Sequence, residues 1–149
     1  MENYLKTVLY AYPLLKTVGE DYAEHIRNKA VLSYYSSLKT EDLAEYLAKE
    51  ILRKNNLLWL KKVIEGVLEK LDDKERGMIA ARYFGKKKLP LRKAGEQECS
   101  DRTYFRQQQK VGEKVGGMLV AAGVTKEFFE TRLQGVELIN KIHRFVCAR

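Results

Sequence analysis
The sequence predicts an all-α protein, on three observations. Apolar residues recur at spacings of three and four along most of the chain, and no alternating Val/Ile/Thr run of strand length flanked by turn residues occurs. Only two prolines and ten glycines interrupt the 149 residues, of which 45% are hydrophobic and 32% charged, a composition of packed helical rather than disordered protein. The length fits one domain, or two small subdomains sharing a core, and excludes a large multidomain enzyme.

Taken in order, Val8, Ala11, Leu15, Val18 and Tyr22 line one face of a first helix running to about Leu32, with a kink or restart expected at Pro13. After a polar break at Ser33 to Lys39, Thr40 can cap a second helix, and Glu41 and Asp42 set negative charge at its positive end. Leu43, Leu47, Ile51, Leu58, Ile64 and Leu68 carry this helix nearly to Leu71, with Asn55-Asn56 the one plausible interruption. Residues 1–70 therefore read as an antiparallel helical hairpin.

Asp72-Asp73-Lys74-Glu75 has capping-box spacing, so a third helix should run to Phe84 and stop at Gly85. Pro90, tolerated in a first helical turn, marks a short fourth helix from Leu89 to about Glu98. Ser100 caps a fifth from Asp101 to about Ala122, ended by Gly123. Thr125 caps a single last helix carrying Phe128, Phe129, Leu133, Val136, Ile139, Ile142 and Val146, so that 71–123 form a middle unit and 124–149 a bracing or dimerising helix.

The net charge of +8 points to a polyanionic partner, a nucleic acid or an anionic membrane surface. The longest apolar stretch near the start, Val8 to Leu15, contains Pro13 and falls far short of the roughly 20 residues of a membrane span. Met1-Glu2-Asn3-Tyr4 has none of the marks of a secretory signal, so a cytoplasmic location without membrane partners is expected. The basic excess is local: Met1 to Lys70 holds 11 basic and 10 acidic residues, Leu71 to Arg149 holds 17 and 10, and Arg82 to Lys114 alone holds ten against four.

Chemistry other than binding has little support. Cys99 and Cys147 form no Cys-x-x-Cys unit, and His143 and Cys147, four apart, would need two further metal ligands from elsewhere. No phosphate-binding glycine loop, zinc-protease helix or nucleophile elbow occurs, so the chain reads as a non-enzyme without metal or cofactor.

On a wheel of the fifth helix, Tyr104, Val111, Val115, Met118 and Ala122 share a sector, while Arg102, Arg106, Gln109 and Lys110 lie opposite. Arg and Gln present paired groups to base edges in the major groove, and Lys together with Thr103 can contact phosphates, so this reads as a recognition helix. A merely solvated basic face is the alternative.

The run Leu71-Asp72-Asp73-Lys74-Glu75-Arg76-Gly77-Met78-Ile79-Ala80-Ala81-Arg82-Tyr83-Phe84, followed by a short helix containing Ala94, a turn at Cys99-Ser100 and Asp101-Arg102-Thr103-Tyr104-Phe105-Arg106, matches helix-turn-helix order. From Leu71 to about Met118 it resembles the fourth, DNA-binding region of bacterial RNA polymerase sigma factors. Lys93, Gln97 and Glu98 replace that family's usual apolar residues and turn glycine, and Met1 to Lys70 has no likeness to its promoter-melting region. The resemblance implies DNA contacts by Arg102, Thr103, Arg106, Gln109 and Lys110, with Lys86, Lys87, Lys88, Arg92 and Lys93 near phosphates. It implies a sigma-like or phage-type transcriptional regulator that binds double-stranded DNA, with RNA polymerase as a further partner. The apolar surface of the last helix, with Phe128, Phe129, Val136, Ile139, Ile142, Phe145 and Val146, separately predicts either packing against the N-terminal hairpin or an interface with a second copy of the chain. The alternatives are a helical protein-interaction module without DNA binding, which the altered turn would allow, and RNA binding through the same face.

Overall fold
The computed structural model describes residues 1–32, 40–85 and 101–148. Among these the regular structure is all helical: α1 (Asn3–Leu32), α2 (Thr40–Glu69), α3 (Asp73–Tyr83), α4 (Asp101–Ala121), α5 (Lys126–Arg132) and α6 (Glu137–Cys147). None of these helices is long and apolar enough to cross a membrane. The helix expected from Leu89 to Glu98 and the Ser100 cap lie outside the described residues.

α1 passes through Pro13 without ending. Proline has no N–H to give the carbonyl of Leu9, so that turn lacks one hydrogen bond. Its stripe is as the spacing predicts, with Val8, Ala11 and Leu15 buried and Val18 and Tyr22 half-buried. α2 is described from Thr40 onward, so the expected Thr40 cap borders on residues outside those described, and Asn55-Asn56 do not interrupt the helix. Its predicted stripe needs correction: Ile51 and Leu58 are exposed, and the buried side is Leu57, Leu60, Ile64 and Val67. Leu58 stands between the buried Leu57 and Leu60 but on another side of the helix, and residues 20–32 of α1 and 40–49 of α2 contain no buried residue, so the apolar spacing of α2 also continues past the part that the core covers. Partners along α1 and α2 run in opposite order, His25 Nε2 lying 2.6 Å from Tyr46 Oη while Gly19 sits beneath Leu58.

α3 starts where the capping box predicts. Asp72 Oδ1 accepts from the Glu75 amide at 2.8 Å, and the Asp72 amide donates to Glu75 Oε1 at 3.2 Å. The helix ends at Tyr83, with Phe84 as its C-cap and Gly85 following at φ +68°. α4 likewise stops before Gly123, whose φ of +109° lets the Val124 amide turn back to the Leu119 carbonyl at 2.9 Å. A β-carbon there would also stand 3.4 Å from the Trp59 indole. Gly123→Ala is therefore expected to cost about 1–2 kcal/mol, read as a fall in Tm of several degrees with the fold retained.

The single last helix expected from the sequence is two helices. Thr125 Oγ1 does cap the first, accepting from the Phe128 amide at 3.1 Å, but α5 ends at Arg132 and α6 starts at Glu137. The break centres on Gly135, a weak helix former, where the Arg53 guanidinium occupies the space a β-carbon would need: that carbon would lie 2.6 Å from Arg53 Nε. Side chains take up the carbonyls that the break releases. Asn140 Nδ2 donates to the Gln134 carbonyl at 2.8 Å and Asn56 Nδ2 to that of Arg132 at 3.4 Å. α6 packs on α1, and Phe129 lies between the Tyr4 ring at 5.8 Å and the His143 ring at 5.0 Å. Buried side chains from all six helices join one core, including Leu9, Ile64, Met78, Leu119, Phe129 and Ile139.

Candidate nucleic-acid interface
α4 is held from three sides, and this fixes which side it offers to solvent. Its buried residues are Gln108, Val111, Gly112, Val115, Gly116 and Leu119. Gln108 Nε2 donates to the Met78 carbonyl at 3.0 Å, tying α4 to α3 inside the core. Outside it, Lys114 Nζ reaches Glu75 Oε2 at 2.9 Å, so the Glu75 carboxylate that closes the capping box also holds α4. Gly112 and Gly116 let the N-terminus come close: β-carbons at these positions would lie 3.2 Å from Met1 Cε and 3.3 Å from Met1 Cγ.

The expected core face of α4 needs one correction. Val111 and Val115 are buried and Tyr104 and Met118 pack half-buried against the core, but Ala122 is exposed, while Gln108 and Leu119 complete the inner stripe. A wheel drawn on apolar residues alone overlooks a glutamine buried by a hydrogen bond and glycines buried by close approach.

The outer side carries Arg102, Thr103, Arg106, Gln109 and Lys110, all exposed. Among the described residues, Arg102, Arg106 and Lys110 form no ion pair with an acidic group. Of the ten residues expected to contact DNA, these five thus share one side of a rigid helix; Lys86, Lys87, Lys88, Arg92 and Lys93 lie outside the described residues. One exposed residue of the same side was not singled out in the sequence: Glu113 follows Gln109 by one turn and limits the cationic stretch to the first half of α4. Phe105 is 52% exposed, but it lies in line with the buried Gly112 and Gly116 rather than with Arg106 and Lys110. The phenols near this region belong to the inner side: burial pushes the Tyr104 hydroxyl above its ordinary pKa, and does the same to Tyr83, where the Arg82 hydrogen bond and charge pull partly back.

At the opposite end of the chain His143 Nε2 lies 3.6 Å from Cys147 Sγ, and Asn3 Nδ2 donates towards the same sulfur at 3.7 Å. The buried Thr7 hydroxyl donates to the Asn3 carbonyl at 2.8 Å, which leaves it to accept from His143 Nδ1 at 3.1 Å. Among the described residues no further Cys, His, Asp or Glu joins His143 and Cys147 in a group able to hold a metal ion. No protein-family model, curated protein or solved structure matches the chain.

Proposed function
We propose that the protein is a sequence-specific binder of double-stranded DNA that lays α4 in the major groove, acting as a sigma-like or phage-type regulator of transcription. One observation carries the reading: α4 packs one side into the core and exposes Arg102, Thr103, Arg106, Gln109 and Lys110 on the other. Buried residues fix the helix, so its outer side chains are presented in a constant register, which direct readout of base edges requires. Arg106 and Gln109 read bases, and Arg102, Thr103 and Lys110 flank them towards the backbone. In this reading residues 71–123 form the helix-turn-helix, 1–70 a hairpin that braces it, and RNA polymerase is a further partner. Because α6 packs its apolar side on α1, no second copy is needed to cover it.

The test is duplex binding over a range of salt concentrations, using a target selected from a random pool. Phosphate contacts impose a steep loss of affinity with salt. Arg106→Ala is expected to weaken binding to the selected target by about 1–3 kcal/mol and to relax base preference at one position, with the helical signal unchanged. If affinity and preference stay as they were, α4 is not a recognition helix. Binding of an RNA hairpin in preference to any duplex DNA, or of neither, overturns the reading.

A further inference from the structure
Within this reading, on which the inference rests, the carboxylate of Glu113 has a specific use. We infer that Glu113 is a specificity-determining residue that accepts a hydrogen bond from the N4 amino group of a cytosine in the major groove.

Glu113 stands two turns after Arg106 in the same line along α4, and one turn after Gln109 and Lys110. It is exposed, and among the described residues its carboxylate forms no ion pair. The lysine next to it is engaged elsewhere: Lys114 Nζ reaches across to Glu75 Oε2 on α3 at 2.9 Å. α4 is buried at Gly112 and again at Val115 and Gly116, so the backbone that carries Glu113 is held as firmly as the backbone that carries Arg106.

A carboxylate on a surface that meets DNA is repelled by phosphates and has only acceptors to offer, so its partner must be a donor on the groove floor. Guanine presents the acceptors N7 and O6 there, and thymine the acceptor O4. Adenine sets its amino group beside the acceptor N7, whereas cytosine presents an amino donor with no acceptor on the same base. Cytosine is therefore the base edge that a carboxylate matches. The line of side chains agrees with this. Arginine pairs its donors with guanine and glutamine pairs both its amide groups with adenine, so Arg106, Gln109 and Glu113 would read a G·C pair, an A·T pair and a second G·C pair in succession. From Arg106 to Glu113 the axis advances about 10 Å, roughly three base steps where the helix follows the groove.

The experiment takes the full chain and its selected duplex and replaces each cytosine singly by N4-methyldeoxycytidine, which keeps the base pair and sets a methyl group where the amino hydrogen faced the groove. For the unaltered protein one such replacement is expected to weaken binding about tenfold, the size of one base-edge contact. Glu113→Ala should bind the unmodified duplex weaker by a similar factor, bind a random duplex no more weakly, and be indifferent to the same replacement. Glu113→Gln, whose carbonyl still accepts, should keep part of the sensitivity. Circular dichroism establishes that the variants fold, which an exposed position allows. If the duplex binds and Arg106→Ala weakens it, yet no cytosine replacement matters, or the loss is equal in Glu113→Ala, the inference fails while the DNA-binding reading stands. A selected site without cytosine, or a Glu113→Ala variant that binds selected and random duplexes more tightly by the same factor, has the same consequence. If no duplex binds, both are overturned.

Discussion

Val115→Asp is expected to leave a chain that no longer unfolds cooperatively. Val115 is fully buried on the inner side of α4, between Val111 and Leu119 in the same stripe. The substitution removes a buried aliphatic side chain and puts a carboxylate in its place. On the inner side of α4 the amide of Gln108 is already given to the Met78 carbonyl and is not open to that carboxylate. Burying an unpaired charge together with the lost apolar contact costs on the order of 5 kcal/mol, comparable with the whole stability of an ordinary domain. Thermal melts followed by circular dichroism should therefore lose their sigmoidal transition. Val115→Thr has nearly the same shape but a hydroxyl in place of one methyl, and should melt cooperatively at a cost of about 1–3 kcal/mol. A cooperative melt for Val115→Asp near that of the parent protein would mean that this side of α4 is not core, and the outward register of Arg106 would lose its support.

How much of this was legible in the sequence depends on how local the controlling physics is. The Asp72–Glu75 box and the stops at Gly85 and Gly123 depend on a few adjacent residues, and the structure has all three. Which side of a long helix is buried depends on what packs there. Ile51 and Leu58 continue the apolar spacing of α2, yet the buried side of that helix is the one that carries Leu57, Leu60 and Ile64. Gln108 is polar in sequence and buried in the fold, because the carbonyl that accepts from it belongs to Met78, thirty residues earlier. The break between α5 and α6 was hidden for a related reason: Phe129, Leu133, Val136 and Ile139 keep three-and-four spacing straight through it, and all four are buried. At the break the Arg53 guanidinium, from another element, occupies the space beside Gly135. Of the candidate interface, the cationic residues of α4 were readable from the wheel; the partial exposure of Phe105 was not, since it lies in line with the buried Gly112 and Gly116.

Arg53→Ala tests that long-range control, and is expected to lower stability by about 3 kcal/mol. Glu50 is only 6% exposed, and Arg53 Nη1 lies 2.8 Å from its Oε1. The same guanidinium fills the space above Gly135, so one side chain both pairs a buried carboxylate and packs into the turn between α5 and α6. Removing it leaves the carboxylate buried without its cation, which in fully enclosed pairs costs roughly 3–5 kcal/mol; the lower end applies because the Arg53 side chain is 35% exposed and solvent shares in the pairing. The measurement is the midpoint of urea unfolding, at constant slope. Adding Glu50→Gln to Arg53→Ala should restore part of the loss, since a neutral amide is less costly to bury than a lone carboxylate. Gly135→Ala should act through the same contact, pushing the guanidinium off the turn, and its effect should shrink once Arg53 is already alanine. If Arg53→Ala changes the midpoint by no more than an ordinary surface substitution, the pair is a solvated one and the break between α5 and α6 is held by the Asn56 and Asn140 side chains alone.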